Sequence, residues 1–250
     1  MASPIAAFIT EPDMEQEKHV GRLLGVLLLV HLAGGLILPY VLLDLAMAPA
    51  GSVIENAAQH SVYVRTAVVL FIAAAGLVLT IAITAWPVFR QHHERLAIAF
   101  VALAAANLAL QLVESGTVLT LVSLGNELAA NAGDAALQAA GTAAVLARRW
   151  AHFTQLLTVV SWLFVLYLTL WRTALVPRLL AVLGMLTTLL QITGVPARAI
   201  LGFDLIMPLA MPLAPVHVAL ACWLIVKGLE ARARPEAHIG NPDLARLSSR

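Results

Sequence analysis

Apolar runs long enough to cross a bilayer recur six times along the chain, at about 21–43, 63–86, 96–124, 150–171, 178–195 and 215–231. Each is close to or above the length a helix needs to span about 30 Å at 1.5 Å per residue. Helices are predicted over strands because every backbone group in lipid must find its partner within the segment. The expected architecture is all-α, a polytopic bundle of six transmembrane helices. One domain spans 21–231, between an acidic tail at 1–20 and a polar tail at 232–250.

The connections differ in length from side to side. On one side the turns are short, and Pro87 and Pro177 read as helix breakers. On the other, residues 44–62, 125–149 and 196–214 are long enough to cap the bundle. The Ala-rich stretch 125–149 predicts a helix lying on the surface. In 196–214, Pro208, Pro212 and Pro215 stand too close together for a regular helix, so this loop is expected to lie irregularly against protein as a lid or pocket wall.

Composition agrees with the pattern: 61% of residues are hydrophobic and 12% charged, with a mean hydropathy of +0.90. A net charge of +1 without a basic stripe excludes a nucleic-acid partner. The partner these numbers imply is the lipid bilayer. Glu11, Asp13, Glu15 and Glu17 occupy the place where a secretory signal would be cationic, so the N-terminal stretch reads as a retained tail. Of the 15 Lys and Arg, only Arg65, Arg148, Arg149 and Arg198 fall beside the long connections. By the positive-inside rule both termini are expected in the cytoplasm and the protein in the cell membrane.

The polar residues inside the runs carry the candidate chemistry. Asn107, Gln111 and Glu114 follow at i, i+4 and i+7 and share one face of the third run. A carboxylate at that depth must face the bundle interior, and it must meet a cation or stay protonated. Arg198, Arg149, His152 and His217 are the available cations. His152 and Gln155 stand just inside the outer end of the fourth run. Gly184, Thr187, Thr188 and Gln191 make a small, polar face on the fifth, and His217 opens the sixth. Arg198 and Asp204 lie in the outer connection before it. Several segments thus offer polar groups in the outer half, as a pocket there would require.

His31 lies mid-membrane beside Gly34 and Gly35, and a second deep histidine would make a haem conceivable. With His152 and His217 expected in the outer third and no haem-attachment motif, no cofactor and no metal are expected. "GRLLG", Gly21 to Gly25, matches the small-xxx-small packing pattern and leaves a homo-oligomer open.

"LQLVESGTVLTLVSL" in the third run, "LVPRLLAVLGML" opening the fifth and the closing "ACWLIVKGL" resemble the bacterial six-span membrane proteins of the Domain of Unknown Function 4386 family. The resemblance runs from about Arg22 to Leu229 and implies the six-helix fold and no assigned activity. It implies a recurrent carboxylate at Glu114 and a recurrent turn at Val176, Pro177 and Arg178. Where the family often has a second carboxylate early in the last span, this chain has His217, so any acid pair would be Glu114 with an imidazole.

Two kinds of function fit these residues, and whether the protein is an enzyme stays open. Glu114, with His152 or His217, could act by acid–base chemistry on a lipophilic small molecule held by Asn107, Gln111, Gln155, Gln191, Arg198, Asp204 and His31. Alternatively, the same groups only bridge helices in a non-catalytic membrane component. A proton-coupled carrier is weaker, because no internal repeat is visible.

Overall fold

The computed structural model describes residues 11–43, 52–131, 133–203 and 205–229. Among them the structure is all-helical apart from short turns, with no strand. Helix α1 (Glu11–Ile37) passes into a π-helical turn at Leu38–Leu43, where Pro39 cannot donate to the helical ladder. A short α2 (Val53–Gln59) follows, then α3 (Ser61–Ala130), α4 (Ala135–Thr173), α5 (Arg178–Leu201), a second short helix α6 (Ile206–Ala210) and α7 (Leu213–Lys227). Helix α1 begins inside the stretch expected to be an acidic tail. Residues 232–250, the expected polar tail, lie outside the described residues.

Five segments are long and apolar enough to cross a membrane. The 70-residue α3 replaces two of the expected runs, and it is bent at His93 (φ −159°, ψ 83°). Its arms, 61–92 and 94–130, fold back on each other. Phe89 and Phe100 meet with ring centroids 5.8 Å apart, and Val68 packs in one cluster with Val118. In a straight helix the latter pair would stand about 75 Å apart. Pro87 therefore does not break the helix. The bend comes six residues later, in the polar stretch "RQHHER", where the backbone can face water. Pro177 does act as expected, as the N-cap of α5 after the left-handed Ala174 ends α4.

The longer connections also differ from expectation. The Ala-rich segment forms no separate surface helix; it lengthens α3 to Ala130 and α4 back to Ala135. Between them is a short turn at Gly133, and the Asp134 carboxylate accepts from the amides of Ala136 and Leu137. Helix α5 runs through Pro196 to Leu201, and α6 forms around Pro208. Ile200, Phe203 and Met211 of this connection are 79%, 59% and 71% exposed. Ile206 and Leu209 are instead half-buried, with Leu209 packed against α5 at Gly194, so one side of the segment lies on protein and the other faces outward.

First and last helices close the bundle. A Cβ on Gly25 would lie 2.7 Å from the Ala221 carbonyl oxygen, and one on Gly21 would overlap the backbone of Gly228 and Leu229. The small-xxx-small pattern thus serves α1–α7 packing within the chain. At the same end Glu17 Oε1 lies 3.8 Å from His92 Nε2, tying α1 to the bend of α3.

Two apolar cores result. The larger includes Leu24, Leu28, Phe89, Phe100, Trp162, Tyr167, Leu220 and Leu224. The smaller includes Leu43, Ile54, Val64, Val68, Val118 and Leu121. Large apolar side chains such as Val30, Val69, Ile83, Leu179 and Val226 cover the outside, as suits a surface in contact with lipid.

Candidate functional site

Between the two cores runs a polar layer. On the second arm of α3, Phe100 and Ala104 belong to the larger core and Val118 to the smaller. Asn107, Gln111, Glu114 and Ser115, between them, are all buried. The i, i+4, i+7 stripe faces inward as its spacing requires. Opposite stands α4, antiparallel, and its residues meet the stripe in register. His152 Nδ1 lies 2.8 Å from Glu114 Oε1, and one turn deeper Gln155 Nε2 donates to Asn107 Oδ1 at 3.4 Å.

The Glu114–His152 couple is asymmetric. The carboxylate side chain is 9% exposed and the imidazole 42%. A shallow crevice with room for about one water molecule adjoins it, lined by Leu43, Val68, Phe71, Gln111, Glu114, Ser115 and Val118. Ser115 Oγ is buried without a hydrogen-bond partner. Other hydroxyls nearby, such as Thr117, Thr120 and Thr158, bond back to carbonyls of their own helix, so the free Ser115 hydroxyl stands apart. Arrangement and chemistry agree: a carboxylate out of water, an imidazole at its edge, and a polar niche beside them.

A second cluster lies deeper. His217 is 2% exposed, and its Nδ1 stands 3.2 Å from the Tyr167 hydroxyl. Its ring is 6.5 Å from that of His31, which packs edge-on against Trp162 at 5.1 Å. His217 therefore does not sit with Glu114. Of the four candidate partners for Glu114, the one that meets it is His152, since the 15-residue α7 places His217 level with His31, following the α1–α7 register set by Gly21 and Gly25. Nor does His217 share a depth with His152: along α4, His152 and Tyr167 are about 22 Å apart.

A family model described as "Domain of unknown function (DUF4386)" matches residues 23–228. The chain belongs to the Domain of Unknown Function 4386 family. No curated protein and no solved structure matches it. Within the family match, Glu114 is the buried carboxylate of the α3–α4 contact, and Pro177 of the "VPR" turn caps α5.

Of the remaining candidates, Thr187 and Thr188 bond to carbonyls of their own helix, so the polar face of α5 reduces to Gln191, whose Oε1 is buried without a partner. Arg198 stands in the last turn of α5 and Arg149 on the exposed surface of α4. Asp204 lies outside the described residues. Sequence reading missed Ser115 and Tyr167. Ser115 follows Glu114 directly, and Tyr167 was hidden among apolar neighbours. Its partner signal was Gly184, where an added Cβ would overlap the Tyr167 ring.

Proposed function

We propose that the protein crosses the cell membrane six times with both termini in the cytoplasm, and that Glu114 and His152 exchange a proton with a lipophilic small molecule arriving from the outer leaflet. Six crossings follow if the two arms of α3 each count as one, since about 105 Å of helix cannot lie within one 30 Å layer. Trp150 and Trp171 set the level. They are about 31 Å apart along α4, flanked by Arg149 and Arg172, as interfacial residues are. The couple then sits just inside the outer boundary.

The observation that carries the chemistry is the 2.8 Å bond between a carboxylate removed from water and an imidazole that reaches it. A proton leaving Glu114 Oε1 has an acceptor in His152 Nδ1, and the imidazole can pass one on at its exposed edge. The crevice admits only a small polar head, with Gln111 and Ser115 to hold it, so the apolar body of the ligand would remain among lipid chains. A continuous proton path across the bundle has less support. Between Asn107–Gln155 and Trp162 the α3–α4 contact carries Leu103, Ala104 and Val159, which offer no polar side chain.

The test is extraction of the purified protein from lipid nanodiscs, with mass spectrometry of co-purifying lipophiles. The wild-type protein is expected to retain a species that Glu114→Gln and His152→Phe lose while melting within a few degrees of wild type. Identical extracts from all three proteins would leave the couple as a helix bridge, as in a non-catalytic membrane component.

A further inference from the structure

The deeper cluster holds an imbalance that the Glu114 site does not explain. Trp162 is fully buried and its Nε1–H has no hydrogen-bond partner; His217 is 2% exposed and its Nε2 has none either. Leaving two such groups unmet in a nonpolar interior is unfavourable. Both rings pack against His31. Tyr167 meets only Nδ1 of His217 and fixes the ring with Nε2 left over.

The geometry points to a second binding site, bounded by His31, Trp162 and His217, for a single uncharged oxygen: that of a water molecule, or the carbonyl or hydroxyl head of a lipid-soluble molecule. Trp162 Nε1 can only donate, so the ligand atom must accept. His217 Nε2 donates when Tyr167 gives its hydrogen to Nδ1 and accepts when Tyr167 takes one from it, so the same site suits a carbonyl and a hydroxyl. The His31 ring lies 6.5 Å from that of His217 and 5.1 Å from that of Trp162, so the two unpartnered groups belong to rings that flank the same imidazole.

Charge decides against a cation. His31 and His217 are neutral donors to a metal, and the couple at Glu114 is about 15 Å from Trp162 along α4. Among the described residues no three His, Cys, Asp or Glu side chains come together to hold a metal. A divalent ion would keep its full charge at membrane depth, where even one charge is strongly unfavourable. An oxygen dipole has no such difficulty.

Access is lateral. His31 is partly exposed, and the next turn of α1 carries Gly34 and Gly35, with nothing within 4 Å of where a Gly35 Cβ would stand. The helix surface there is thin, and a flat or narrow head could approach His31 from the lipid side.

The test uses the full-length protein in lipid nanodiscs with 15N-labelled tryptophan. Trp162→Phe identifies the Trp162 indole resonance among the five. A cross-peak from the indole proton to water, lost in His217→Phe, identifies the oxygen as water. A saturable shift of the same resonance on adding a short-chain benzoquinone or 1-decanol identifies a lipophile head. Its apparent affinity should fall about tenfold in His217→Phe, the equivalent of one hydrogen bond. Should His217→Phe not fold, His31→Leu, at a partly exposed position, provides the same comparison. An indole proton with neither a water cross-peak nor a shift with either probe overturns the site. So does a response to Zn2+ alone. Glu114→Gln should leave all these signals in place, which separates this site from the proton-exchange couple.

Discussion

At the scale of single residues, the carboxylate at 114 sets the terms. It is buried, with one ring nitrogen 2.8 Å away, so substitution separates shape from charge. Glu114→Gln keeps an acceptor and should lose under about 1 kcal/mol of stability in detergent unfolding; Glu114→Leu removes it, strands the niche around Ser115, and should lose about 1–3 kcal/mol. Equal losses would mean that the hydrogen bond contributes nothing. One turn deeper, a double-mutant cycle of Asn107→Leu and Gln155→Leu should return a coupling of about 0.5–1 kcal/mol, typical of helix-bridging amides in lipid. The stripe itself was legible, because three polar groups at i, i+4 and i+7 leave a membrane helix one inward face. Which cation would meet Glu114 was not legible. That depends on the relative height of α3 and α4, and sequence periodicity gives rotation about a helix axis but not its shift along it.

At the scale of elements, glycine allows close packing at several positions, Gly21, Gly25 and Gly184 among them, and leaves open space at others. Gly25→Ala puts a methyl 2.7 Å from a backbone oxygen that cannot retreat, whereas a methyl at Gly35 meets nothing within 4 Å. Gly25→Ala should therefore lower the melting temperature clearly, and Gly35→Ala should be neutral or slightly stabilising through helix propensity. Thermal unfolding of the two variants side by side checks this. The same scale holds the main errors of sequence reading. Proline was taken as a stop at Pro87, but the chain turns at His93, where solvation of the bend outweighs the loss of one hydrogen bond. By contrast, Pro208, Pro212 and Pro215 were taken to keep a regular helix from running through the connection, and none does: the short α6 ends at Ala210 and α7 begins at Leu213, with each proline early in one of them or at its edge. Disulfide trapping of Phe89→Cys with Phe100→Cys, in a background lacking Cys222, should succeed if the arms of α3 fold back as described.

At the scale of the whole molecule, the side of the membrane that each end faces can be measured directly. A reporter active only outside the cytoplasm should be silent when fused after Arg250 and active when inserted at Gly133. The reverse would overturn the reading of the basic residues. The class of fold was legible from composition and run length alone, because lipid allows so few backbone solutions. The partnership of α1 with α7 was not, since nothing local in either segment names the other. That partnership has a consequence for how the protein is made. Translation at about 5–20 residues per second separates Ile37 from Lys227 by roughly 10–40 s. Throughout that interval α1 has been synthesised but its glycine face and His31 have no α7 to cover them. Insertion must therefore hold the first helix in waiting until the last arrives, and ribosomes that stop before Leu213 would release chains that quality control can recognise by that uncovered seam.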